Sequence, residues 1–335
     1  MSINAVEQIS LICFELGKLE RSKELMHPEL SKLFELRAKV CQRHAINKMV
    51  AALHDKRQEK RRKQREIRVR QDNYYRALEY ISDLQCSSDG LNLFSSQQIL
   101  TLFNLMSSNT TGHPDMAFRV DTHATFWGKD IVRLQLLDKD KIEVILTSLC
   151  KILSDRYANQ NAYEIEKTSF VMRIIYTANF IADFILLMPY KRFNFELAAL
   201  LLEWLLAQLC FPFAKYGCFE ALLPSYKTDF VQSLIKCSDD DMTPLYDATL
   251  NLIFTAAKRT TEDMAYAAQL ELPRIKSDSI VTGLSMKPQM PLNKNEIAKI
   301  TDIPAGTIER RLKYLLDKEK IKMVSGVRAA RYEAI

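Results

Sequence analysis

The side chains suited to catalysis or metal binding are few and scattered in this sequence. Neutral imidazoles act as general bases or metal ligands near neutral pH. His113 and His123 lie in a loop-rich and β-rich stretch, while His27, His44 and His54 lie in helical segments, and no two stand at metal-ligand spacing. They are expected to be satisfied surface or turn residues, and no metal site is expected. Asp239-Asp240-Asp241 has no partner cluster and is expected to form a loop and a helix cap. The seven cysteines form no C-x-x-C pair, which points to reduced, mostly buried thiols and a cytoplasmic setting. Only eight glycines occur, which argues against architectures built on glycine-rich phosphate loops. The remaining polar chemistry is concentrated in Met188-Pro189-Tyr190-Lys191-Arg192-Phe193-Asn194-Phe195-Glu196 and in two basic regions.

The formal net charge of +6 is unevenly spread. Lys56–Arg70 holds nine Lys/Arg and two Glu, and Met286–Ile335 holds eleven Lys/Arg and six Asp/Glu. Any contact with a polyanion therefore belongs to those regions. The bland alternative for Lys56–Arg70 is a solvated helix surface.

The elements that position these residues read as mainly helical. Residues 2–84 keep apolar residues at three- and four-residue spacing, broken at Met26-His27-Pro28-Glu29, where Pro28 suits a helix first turn. Ser87-Ser88-Asp89-Gly90 is a loop, and Ser95 or Ser96 caps a helix to Met106. Phe118–Phe126 and Ile131–Leu136, split by Trp127-Gly128-Lys129-Asp130, predict a β-hairpin. Helices are expected at Asp140–Tyr157, Ile165–Met188, Phe195–Gln208, Tyr226–Ile235 and Leu245–Lys258. Trp204, Phe211 and Phe213 are expected in the core. Arg173, Asn179 and Asp183 make Phe170–Met188 a buried helix and not a membrane span. The first seventeen residues lack the pattern of a secretory signal.

The C-terminal residues have the order of a winged helix. Lys294–Ile300 forms one helix, Thr301–Pro304 the turn, and Ala305–Lys318 the recognition helix, burying Ile308, Leu312, Leu315 and Leu316. Thr307, Arg310, Arg311 and Tyr314 fall on or near its opposite face, suited to a major groove. Lys322–Tyr332 forms a wing turning at Ser325-Gly326, with Arg328 and Arg331 placed to reach DNA phosphates. The domain division is 1–86 (helical region with the basic helix), 87–272 (core), 273–291 (a proline-containing linker) and 292–335 (winged helix).

Several motifs, in order, resemble the Fic family in its form with a helical N-terminal region and a C-terminal winged helix. Glu15-Leu16-Gly17-Lys18-Leu19-Glu20 is similar to its opening helix, Asn73–Tyr80 to its N-Y-x-x-A-L segment, and Ala117-Phe118-Arg119-Val120 to the start of its flap hairpin. Pro224–Phe230 and Asp239–Leu245 are similar to the stretch after its signature loop. Met188–Glu196 resembles that loop, H-P-F-x-[D/E]-G-N-G-R-x-x-R, with Pro189 and Asn194 matching outright and Tyr190 replacing one aromatic by another. The resemblance implies a mainly α, Fic-like helical core with one small β-hairpin flap, plus a C-terminal winged helix-turn-helix domain.

In working members the loop transfers a nucleotidyl group, usually AMP from ATP, with a histidine base, an acidic metal ligand, two glycines and two arginines. Here Met188 stands at the base, and a thioether takes no proton at neutral pH. Arg192 stands at the metal ligand, Phe193 and Phe195 at the glycines, and Glu196 and Ala199 at the arginines. The family's inhibitory helix aligns with Arg43–Lys48, where Asn47 replaces the inhibitory glutamate. The expectation is a catalytically degenerate Fic-like regulator that binds double-stranded DNA through Thr307, Arg310, Arg311, Tyr314, Arg328 and Arg331, with no cofactor and no membrane contact. Other readings are a residual AMP-transferase using ATP and Mg, a pseudoenzyme that binds a protein partner at its flap, and a homodimer assembled through the Fic-like body.

Overall fold

The computed structural model describes residues 3–53, 60–86, 94–110, 118–119, 121–127, 131–158, 168–208, 214, 216–238, 241–274, 276–324 and 329–335. Among these the order is α1 (Ile3–Leu25), α2 (Pro28–Leu53), α3 (Lys60–Cys86), α4 (Ser96–Ser107), β1 (His123–Trp127), β2 (Ile131–Gln135), α5 (Lys139–Ala158), α6 (Thr168–Leu187), α7 (Asn194–Gln208), α8 (Phe219–Lys236), α9 (Thr243–Ala268), α10 (Lys276–Ser285), β3 (Leu292–Asn293), α11 (Lys294–Thr301), α12 (Ala305–Asp317), β4 (Ile321–Val324) and β5 (Arg331–Ala334). The protein is mainly helical, as its periodicity predicts.

Helix α7 is the axis of the body. Its residues from Phe195 to Leu206 are buried almost without interruption. A helix apolar on every side must be surrounded, and α3, α4, α6 and α8 pack around it. Trp204 is fully buried, its ring 5.1 Å from Phe94, which lies 5.0 Å edge-on from Phe180. Helix α1 runs along α9 and buries Ile9, Ile12, Leu16 and Leu19.

The helix starts follow local chemistry. Pro28 opens α2, where its missing N–H costs no hydrogen bond. Ser95 and Gln98 form a capping box before α4. Three elements differ from expectation. Helix α8 begins at Phe219, seven residues before Tyr226, and carries Pro224 inside it. Helix α9 continues ten residues past Lys258. The hairpin starts at His123, and Trp127 pairs with Ile131 in the strands. Residues 87–90 and 128–130 lie outside the described residues.

The C-terminal elements form a small sheet of order β3-β5-β4, antiparallel throughout, against α10, α11 and α12. Asn293 caps α11 by accepting from the Asn295 and Glu296 N–H groups, and Glu296 reaches back to the Asn293 N–H. Residues 273–291, expected as a linker, contain α10, which buries Ile280 and Leu284 and packs on α11 and on α2. Gly283 permits that approach, since a Cβ there would stand 3.2 Å from Ile300 Cγ2. The flanking prolines obscured a helix whose apolar residues are only four apart.

Candidate functional site

The loop between α6 and α7 is held through its main chain. The Arg119 backbone N–H donates to the Pro189 carbonyl at 2.9 Å, while its guanidinium donates to the carbonyls of Met188 (2.8 Å), Leu187 (3.3 Å) and Asp121 (2.6 Å). Asn194 bridges the loop internally. Its Oδ1 accepts from the Tyr190 N–H at 3.1 Å, and its Nδ2 donates to the Tyr190 carbonyl at 2.6 Å. Tyr190 lies face-on to Phe103 at 4.1 Å and to Phe118 at 5.8 Å. Met188 and Phe193 both take positive φ, 40° and 68°, a region that L residues occupy at a cost.

The side chains at the chemical positions are packed as core. Met188, Phe193, Phe195 and Ala199 are all buried. The Phe193 ring lies beneath the Arg70 guanidinium at 4.6 Å, and the Phe195 ring lies 6.4 Å from Phe230 and 5.5 Å from the Lys227 ammonium. Glu196 is buried beside Arg70, whose charge is opposed by burial and favoured by Glu196 and Glu66. Lys191 pairs with Asp121 at 3.9 Å in solvent. The loop is thus held as a backbone path, and the side chains of Met188, Phe193, Phe195 and Ala199 are packed around it.

Other residues singled out by sequence have structural roles. Asn73 donates to the carbonyls of Met106 and Ser108 at 3.0 and 2.6 Å, pinning the end of α4. Asn47 accepts the Tyr75 hydroxyl at 3.2 Å, and Tyr75 also donates to the Arg43 carbonyl at 3.1 Å, so this segment ties α2 to α3. His44 bonds Glu296 at 2.8 Å, and the His27 Nδ1 accepts the Glu29 N–H. His123 is exposed beside Thr122. Asp241 accepts the Thr243 N–H at 2.9 Å just ahead of α9, whose N-cap position is Met242. His54, His113, Cys210, Phe211, Phe213, Asp239 and Asp240 lie outside the described residues. Among the described residues no group of three or more His, Cys, Asp or Glu is placed to hold a metal, and no helix is long and apolar enough to cross a membrane.

The basic elements divide by exposure. On α12, Arg310 and Tyr314 are exposed and Thr307 is half-buried, while Ile308, Leu312 and Leu315 face inward. Lys313, which the sequence reading passed over, shares the exposed face. Arg311 turns toward α10 and donates to the Ser277 hydroxyl at 3.3 Å. Arg331 donates to the Pro291 carbonyl at 2.8 Å and stands 3.7 Å from Glu296. These two partly buried arginines therefore make bonds within the C-terminal unit. Leu316, expected in the core, is only half-buried. Arg328, Ser325 and Gly326 lie outside the described residues, as do residues 56–59 of the basic run. On α3, Arg65 and Arg68 are exposed, but Glu66 and Arg70 turn inward.

Two features had no signal in the sequence. Arg37 is fully buried and donates through Nη2 to the carbonyls of Pro288 (3.0 Å) and Met290 (3.2 Å). Glu220 is also buried, and a single amide, Gln42 Nε2, donates to Glu220 (3.2 Å) and Glu203 (3.0 Å). Both carboxyls are pushed upward by burial, and Glu203 further by Glu220.

This helical body with a hairpin, a loop leading into its central helix and a small C-terminal sheet defines a Fic-like fold. No family model and no curated protein sequence matches the chain. Among solved structures, it is similar to a Fic family protein from Desulfovibrio desulfuricans G20 at 16% identity and TM-score 0.54, covering 100% of this chain and 97% of that one. It is also similar to a Fic domain containing signaling protein from Bacteroides thetaiotaomicron VPI-5482 at 12% identity and TM-score 0.50, covering 78% of this chain and 98% of that one.

Proposed function

We propose that this chain is a catalytically silent Fic-like protein whose C-terminal unit, including α10, binds double-stranded DNA. The observation that carries the reading is the division of α12 into a buried apolar face and an exposed face bearing Arg310, Lys313 and Tyr314. A helix presented this way, in a region with an excess of cations, suits insertion into a major groove. The burial of Met188, Phe193 and Phe195 supports the loss of nucleotide transfer, because those positions offer no proton acceptor, metal ligand or open backbone approach to phosphate.

A gel-shift series over genomic fragments, including the gene's own promoter region, tests the proposal. Binding is expected at low salt and to weaken steeply as salt rises. R310A and Y314A should weaken it while leaving the melting curve unchanged. Absence of binding to any fragment at low salt overturns the reading. Transfer of label from α-labelled ATP to a protein, abolished by N194A, would restore the transferase alternative.

A further inference from the structure

Helix α1 packs into the body by one face and leaves an ordered second face in solvent. On the inner face Ala5, Ile9, Ile12, Leu16 and Leu19 are buried, and the helix lies along α9. On the outer face Glu7, Leu11, Phe14, Lys18 and Arg21 are all exposed, at alternating steps of four and three residues. That is the spacing of a coiled-coil seam, whereas packing on the chain's own fold requires only the inner face. Leu11 is 38% and Phe14 60% exposed, at the centre of the seam. The Lys18 ammonium already lies 4.1 Å from the Phe14 ring centroid and 3.0 Å from Glu15, so this exposure remains beside that cover.

The seam complements itself in one direction only. It is acidic at Glu7, apolar at Leu11 and Phe14, and basic at Lys18 and Arg21. Two parallel copies would set Glu7 against Glu7 and Lys18 against Lys18, a repulsive arrangement. In an antiparallel pair, Leu11 of one copy meets Phe14 of the other, and Glu7 of one meets Lys18 of the other. Both pairs are centred on the same point, between Ile12 and Cys13, so a single register satisfies them together. Ser10 turns its hydroxyl to the Val6 carbonyl at 2.9 Å, presenting a small side chain beside Leu11 where the incoming ring would lie.

We infer that this chain forms a two-fold homodimer by antiparallel pairing of α1. The same stripe carries both the acidic and the basic member of each pair, which is what a surface that meets itself requires. The contact is confined to one helix per copy and falls at the small end of specific interfaces, so the dimer opens on dilution through the micromolar range. It uses neither α12 nor the 188–196 loop and stands apart from DNA binding.

Sedimentation velocity of the full chain, diluted from about 200 μM to about 1 μM, tests it. A concentration-dependent monomer–dimer equilibrium is expected. F14E should weaken the dimer at least about tenfold, as should E7K and K18E singly, since each change enters twice in a two-fold interface. The E7K/K18E double variant should recover the wild-type dissociation constant to within about threefold, because antiparallel pairing again sets opposite charges together. Thermal melts confirm that the variants fold. A wild type that stays monomeric throughout, a dimer undiminished in folded F14E, or a double variant no tighter than its parents would each overturn the inference.

Discussion

Phe193 gives a test in which glycine and alanine should exchange their usual order. The residue holds φ at 68°, its ring is buried beneath the Arg70 guanidinium, and its carbonyl accepts the Leu197 N–H at 2.8 Å. F193A removes a buried aromatic, which costs about 3–5 kcal/mol. It also retains the Cβ that opposes the left-handed backbone by about 1–2 kcal/mol. F193G loses the same ring but relieves that strain, offset by about 0.5–1 kcal/mol for the greater freedom of glycine in the unfolded chain. F193G should therefore exceed F193A in stability by about 0.5–1 kcal/mol, with both well below the wild type. Urea unfolding followed by far-UV circular dichroism reads the difference as a shift in midpoint at equal slope. An F193A variant as stable as F193G would refute the left-handed constraint, and an F193G variant as stable as the wild type would refute the packing role.

Three other outcomes follow from named contacts. N194A removes both bonds to the Tyr190 backbone and should cost about 1–3 kcal/mol in the same urea assay; no loss would mean the bridge is replaced by solvent at no cost. R119A deletes three guanidinium bonds to carbonyls and should cost about 2–4 kcal/mol, with faster amide exchange across β1 and β2; unchanged exchange would detach the hairpin from this anchor. Asp263 is pushed by burial from 3.8 to about 6, against the pull of Lys287 and Arg259. The folded state therefore holds this proton more tightly than the unfolded chain, so its stabilising contribution is full below pH 3.8 and lost as pH rises through about 6. After discounting for solvent screening, D263N should be more stable than the wild type by about 1 kcal/mol at pH 7.5, and pH-dependent melting of both proteins checks it.

The sequence disclosed those parts of the fold that repeat a pattern over many residues. The long helices, the hairpin and the α11–α12 pair carry their apolar residues at regular spacing, and Asn73, Tyr74 and Ala77 are buried as their motif implies. Helix α10 escaped because prolines flank ten residues with two buried aliphatic anchors. The internal bonds of Arg311 and Arg331 were hidden for a different reason. Periodicity places a side chain on a face of its own helix or strand, but it does not reveal that Ser277 or the Pro291 carbonyl lies within reach. Arg37 and Glu220 were invisible on the same account, since their partners lie more than 140 residues away in sequence.

The loop shows how a backbone path can be held independently of the side chains along it. Of the groups that hold it, the Arg119 bonds end on the carbonyls of Leu187, Met188 and Pro189, and the Asn194 bonds end on the N–H and carbonyl of Tyr190. Backbone groups are supplied by any residue, so side chains at 188, 193, 195 and 196 can change without loosening these bonds. What changes is the space they occupy. Phenylalanines at 193 and 195 add buried apolar surface on either side of Asn194, each worth about 1.5–3 kcal/mol when fully buried, and the positive φ at Phe193 costs about 1–2 kcal/mol of that gain. Burial at these two positions therefore outweighs the strain at Phe193. On the function proposed above, a nucleotide-transfer site would resist such substitutions, because rings at these positions compete with a phosphate for the backbone N–H groups.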